Sequence, residues 1–83
     1  MGNGNLQPAT GTMGKRETQW VTVLPDGLKV VYRKVQYSTG FIYSCRCIIG
    51  DMIKETNWES SEDLSQEQVE LLPKFIDFLA GIV

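Results

Sequence analysis

The chain has no histidine in its 83 residues. That absence removes Ser–His and Cys–His nucleophile pairs and every histidine metal site. It has only two cysteines, Cys45 and Cys47, too few for a four-cysteine zinc site or a disulfide framework. One residue apart on a strand, their side chains share a face roughly 6.5–7 Å apart, at the limit of what a disulfide spans. A buried pair of small apolar side chains, both reduced, is the expectation. No apolar run approaches the ~20 residues that cross a bilayer. The opening MGNGNLQPAT lacks the apolar stretch of a secretory leader, and Leu6 stands where a myristoylation site has Ser or Thr. These features predict a cytoplasmic or intracellular protein with no membrane partner.

Phosphate-cradling glycine motifs are absent as well: Gly2, Gly4, Gly11 and Gly14 follow no strand. The acids Glu59, Glu62 and Asp63 lack the alternate spacing and central glycine of a calcium loop. Neither a catalytic residue nor a metal nor a cofactor is expected, and the chain does not read as an enzyme.

What remains is a globular composition, with 42% of residues apolar and 22% charged. The length allows one small domain whose core is modest. The net charge of −2 hides an asymmetry. Residues 1–50 carry six bases and two acids, +4; residues 51–83 carry two bases and eight acids, −6. Residues 1–17 are rich in glycine and polar groups without period and read as a flexible N-terminal arm. The domain proper is predicted over 18–83.

Gln19 to Leu24 is β-branched and aromatic and predicts a strand. Pro25-Asp26-Gly27 predicts a three-residue hairpin: Pro fixes φ, Asp bonds its own backbone, and Gly takes the left-handed position. Leu28 to Val35 returns, with Thr22 facing Val30 and Trp20 facing Tyr32. Tyr37-Ser38-Thr39-Gly40 is a second turn, and Phe41 to Ile49 a third strand. Gly50-Asp51 makes a two-residue hairpin into a fourth strand, Met52 to Trp58, which sets Glu55 opposite Arg46 and Trp58 opposite Tyr43. Ser65 with Gln68 fits a capping box, and Leu64 with Val69 the accompanying hydrophobic staple. A helix then runs to about Ala80, with Gly81 as its stop. Pro73 either kinks that helix or opens a second short one. The predicted fold is α+β: a three- or four-stranded antiparallel meander followed by one kinked C-terminal helix packed on the sheet.

Apolar residues exceed what one sheet face and one helix stripe need. In the expected register, Trp20, Leu24, Leu28, Val30, Tyr32, Ile42 and Ile48 share one face, and Val21, Val23, Val31, Val35, Tyr43, Cys45, Cys47 and Ile49 the other. A one-residue slip of the third strand would exchange its two sides. The helix carries one stripe of Leu72, Ile76, Leu79 and Val83 and a second of Leu71, Phe75, Phe78 and Ile82. The surplus points to a protein-interaction module — an adaptor, inhibitor or assembly subunit — that binds a partner or itself as a homodimer. Leu71, Phe75, Phe78 and Ile82 are its predicted partner-binding residues.

Two resemblances bear on function. Leu24-Pro25-Asp26-Gly27-Leu28-Lys29-Val30-Val31 resembles the first hairpin of the pitrilysin-type zinc peptidases. Their zinc motif needs histidines, so the likeness ends at turn chemistry. The order of four antiparallel strands and a kinked helix is similar in outline to the Whirly-type single-stranded-DNA-binding domains, which pair through their helices. That likeness implies an alternative function in nucleic-acid binding. The anionic ligand would lie on a face formed by Lys29, Arg33, Lys34 and Arg46, with Tyr32, Tyr43 and Trp20 as stacking groups.

Overall fold

The computed structural model describes residues 16–82. Four strands form one antiparallel sheet in chain order: β1 (Arg16–Val23), β2 (Lys29–Tyr37), β3 (Gly40–Ile49) and β4 (Met52–Ser60). Two short helices follow, α1 (Gln66–Glu70) and α2 (Pro73–Ala80), and pack on one side of the sheet. This is the expected α+β meander, with all four strands present. β1 begins at Arg16, so Arg16 and Glu17 belong to the sheet and not to the arm. The remainder of the predicted arm, residues 1–15, lies outside the described residues.

The turns do what their residues dictate. Gly27 sits at φ +91, its N–H donates to the Leu24 carbonyl at 2.8 Å, and Asp26 Oδ1 accepts from the Leu28 N–H at 3.0 Å. Trp20 pairs with Tyr32 and Thr22 with Val30, as expected. Across the last hairpin Ile49 pairs with Met52, Arg46 with Glu55 and Tyr43 with Trp58, again as expected.

The third strand corrects the expected faces. Ser38-Thr39 is a two-residue turn, which pairs Tyr37 with Gly40 and so Val35 with Ile42 and Tyr32 with Cys45. Every side chain of β3 is thereby moved to the opposite face from the expected one. Tyr43, Cys45 and Cys47 join Trp20, Val30 and Tyr32 beneath the helices. Ile42 and Ile48 turn to the open side. Gly40 is required here: at φ +152, its missing Cβ would lie 2.9 Å from the Ser60 carbonyl oxygen.

The helical segment is divided, not kinked. Ser65 caps α1 with the full capping box: its side chain accepts from the Gln68 N–H while Gln68 Oε1 accepts from the Ser65 N–H at 2.9 Å. Leu72 is extended, at ψ 135, its side chain packs against the core, and the extended region is also the one that a residue before proline favours. Pro73 then opens α2 in the first turn, where its missing N–H is no loss. The core gathers Val30, Tyr32, Tyr43, Cys45, Cys47, Val69 and Phe75, all buried. Phe75 reaches down to Tyr32, ring centroids 5.9 Å apart, and Tyr32 stacks on Trp20 at 5.4 Å.

Candidate functional site

The predicted partner stripe is largely spent inside the molecule. Phe75 is wholly buried, and Leu72, Phe78, Leu79 and Ile82 pack against the core from both expected stripes. Leu71 and Ile76 alone of the described stripe residues face water. Val83 lies outside the described residues. The physical reason is the break at Leu72: two short helices set at separate angles present more than one stripe to the sheet.

The predicted anionic-ligand face is also divided. Tyr32 and Tyr43 are buried under the helices. The Tyr43 hydroxyl anchors the loop before α1, donating to the Glu62 carbonyl at 2.6 Å and accepting from the Leu64 N–H at 2.9 Å. Lys34 shares that side, bound to the Asp63 carboxylate and to the Leu64 carbonyl at 2.9 Å, with Phe41 beneath it at 5.4 Å. Trp20 is tied down as well, its indole N–H donating to Glu70 at 2.8 Å. Lys29, Arg33 and Arg46 occupy the other face. The expected bases and aromatics therefore do not meet.

Among the described residues that other face carries no helix. Beyond Tyr37 and Gly40 at one end, its rows, read across β1 to β4, are Glu17, Val35, Ile42 and Glu59; then Gln19, Arg33, Ser44 and Asn57; then Val21, Val31, Arg46 and Glu55; and last the pair Val23 and Lys29 beside the pair Ile48 and Ile53. Three bases and three acids (Lys29, Arg33, Arg46 against Glu17, Glu55, Glu59) leave it neutral. Arg46 lies 3.5 Å from Glu55 and Arg33 3.9 Å from Glu17. Ser44 donates to Asn57 at 2.9 Å, while Arg33 Nε is buried without an acceptor among the described residues.

The last two rows are different in kind. Val21, Val23, Ile48 and Ile53 are 56–64% exposed, and they cluster at the end of the sheet where both long hairpins turn. Val31 lies among them. Lys29 sits between Val23 and Ile48 and forms no ion pair among the described residues. β-Branched residues stabilise the strands they belong to, but a wet sheet face normally alternates to polar side chains. Sequence reasoning counted most of this surplus yet put Ile48 on the face of Trp20 and Tyr32 and did not single out Ile53. The signal that finds the patch is the two-residue turn at Ser38-Thr39, which fixes the register.

The cysteines lie away from this face. Both are free and buried; burial, reinforced by the neighbouring Cys47, pushes the Cys45 thiol up to about 12, and burial also raises Cys47. Neither is poised as a thiolate at neutral pH. Among the described residues no helix is long and apolar enough to cross a membrane. No family model matches the chain, and no curated protein or solved structure matches it significantly.

Proposed function

We propose that the chain is a small non-catalytic protein-interaction module whose docking surface is the open sheet face. The observation that carries the reading is the cluster of Val21, Val23, Ile48 and Ile53, held in register by three hairpins and left uncovered by the helices. Apolar area of this kind gains when removed from water, by about 25 cal/mol per Å². The fixed strands mean little ordering cost on binding. Lys29, unpaired in the midst of the patch, selects the occupant: an apolar protein segment that brings a carboxylate. An adaptor, inhibitor or assembly subunit fits this description.

The nucleic-acid alternative has less behind it. A stacking platform needs aromatic faces beside the bases. Here Tyr32 and Tyr43 lie under the helices, Tyr37 is the one described tyrosine left exposed, at the far end of the open face from Lys29 and Arg46, and that face has no excess positive charge. Self-association through the helix stripe has lost its surface, since Phe75 and Phe78 serve the chain's own core.

The test is affinity capture with the intact chain, the Val21→Asp/Ile48→Asp double variant, Lys29→Glu, and Leu71→Asp as a surface control. A protein retained by the wild type and by Leu71→Asp, lost with the double variant and weakened with Lys29→Glu, is the expected result. Equal retention by all four chains counts against the open face. Tight, salt-sensitive binding of a short single-stranded oligonucleotide would instead favour the nucleic-acid reading.

A further inference from the structure

Among the described residues the sheet ends on two edge strands, β1 and β4. β4 runs nine residues, Met52–Ser60, with no proline and no glycine. Such an edge exposes a row of unpaired N–H and C=O groups, and natural sheets shorten, charge, twist or cover long edges unless something pairs with them; β4 carries Lys54, Glu55 and Glu59 yet pairs with β3 without a break over its whole length. A typical strand has about 5–6 residues.

We propose that β4 pairs antiparallel with β4 of a second copy about a two-fold axis through Thr56, joining two four-stranded sheets into one of eight. This rests on the edge and not on the protein partner of the open face. The argument is one of register. An antiparallel pair related by a two-fold keeps the helices of both copies on one side, so residues opposite each other must come from the same face. The axis must then pass at a residue. Thr56 is the midpoint of Met52–Ser60, so this register alone pairs the whole strand.

Charge selects the same register. About Thr56, Lys54 lies opposite the partner copy's Trp58, twice over, as a cation on an aromatic face. Glu55 lies opposite Asn57, and threonine meets threonine, a favourable cross-strand pair. A shift by one register centres on Glu55, setting that carboxylate against itself. The shift the other way centres on Asn57 and sets Glu55 against Glu59. Larger shifts leave five or fewer residues paired.

The helix side agrees. Lys74, Asp77 and Phe78 of α2 line an open hollow with Thr56, over the proposed axis. Lys74 and Asp77 lie three residues apart and so on one face of α2.

Sedimentation equilibrium on the full chain tests this. The wild type is expected at the mass of two chains. Thr56→Asp and Thr56→Lys each place like charges across the axis and should each sediment as one chain, with the far-ultraviolet circular dichroism unchanged. Mixing the two variants should restore the mass of two chains, an outcome a merely misfolded variant does not give. A wild type that stays at one chain at its highest soluble concentration, or single variants that remain paired, overturns the proposal. Should the charged variants not fold, Thr56→Cys decides. Opposed Cβ atoms about 4.5–5.5 Å apart sit beyond the relaxed span of a disulfide but within reach of a short bis-maleimide, which should link the two thiols into a covalent dimer; a monomer after that treatment overturns the pairing.

Discussion

Trp20 of β1 donates its indole N–H to the Glu70 carboxylate at the end of α1, 2.8 Å away, and the Thr22 hydroxyl donates to the same oxygen at 3.0 Å. One acid thus pins an edge strand to the helical layer across 50 residues of chain. The site is half-buried, so removal of the acid leaves two donors short of a partner.

Glu70→Ala is therefore expected to cost about 1.5–3 kcal/mol, the range for hydrogen bonds to a charged group. Chemical denaturation followed by tryptophan fluorescence measures it, since Trp20 reports on the lost bond. Glu67→Ala, one turn earlier and exposed, should change stability by less than about 0.5 kcal/mol.

The buried thiols make stability fall in alkali. Cys45 is raised to about 12 and Cys47 is raised as well, both by burial first, so the folded state holds the neutral thiols. Tyr32 moves in the same direction, again by burial first. The unfolded chain ionises its thiols near pH 8.5. The stabilisation is full below that pH, and it is lost as pH rises from there toward about 12. Urea midpoints across pH 7–11 check the sign, with a decline expected only on the alkaline side. A thiol reagent at pH 8 should label neither cysteine until the chain is unfolded.

Gly40→Ala is expected to destabilise by more than about 1 kcal/mol, because φ is positive and the new Cβ meets the Ser60 carbonyl oxygen at 2.9 Å. Gly27→Ala meets no atom within 4 Å and suffers only the φ +91 strain, so it should cost less. Thermal unfolding of the two variants side by side tests the order.

Much of the fold was legible because turn chemistry is local. Pro25-Asp26-Gly27 and Gly50-Asp51 state their own geometry, and cross-strand pairs such as Arg46 with Glu55 follow once the turns are placed. Ser65 and Gln68 likewise name the start of α1. The faces of β3 were not legible, because period-2 patterning fails when both sides of a strand are apolar. Ile42, Tyr43, Cys45, Cys47 and Ile48 give no alternation to read. The candidate site inherits that ambiguity: Ile48 joins Val21 and Val23 only in the register of the two-residue turn. The helix stripe was misjudged for a related reason. Its apolar residues were counted as one helix, whereas the extended Leu72 lets two helices each bury their own set.

Pro73 gives the sharpest test of that division, because the two readings differ in sign. A proline inside one long helix removes a backbone bond and costs roughly 3 kcal/mol relative to alanine, so Pro73→Ala would stabilise the protein substantially. In the structure Pro73 is the first residue of α2, and Leu72 before it is extended. There the ring already matches the backbone it must adopt, and it restricts the unfolded chain more than alanine does. Pro73→Ala is therefore expected to lower stability, by about 0.4–1 kcal/mol, with helix content unchanged. Leu72 stays anchored in either chain, since its side chain packs against the core and its carbonyl accepts from the Phe75 and Ile76 N–H groups at 3.0 Å. Denaturation midpoints with far-ultraviolet circular dichroism decide the matter. A more stable variant with a longer helix would mean that the break at Leu72 exists only because proline forces it, against the packing described above.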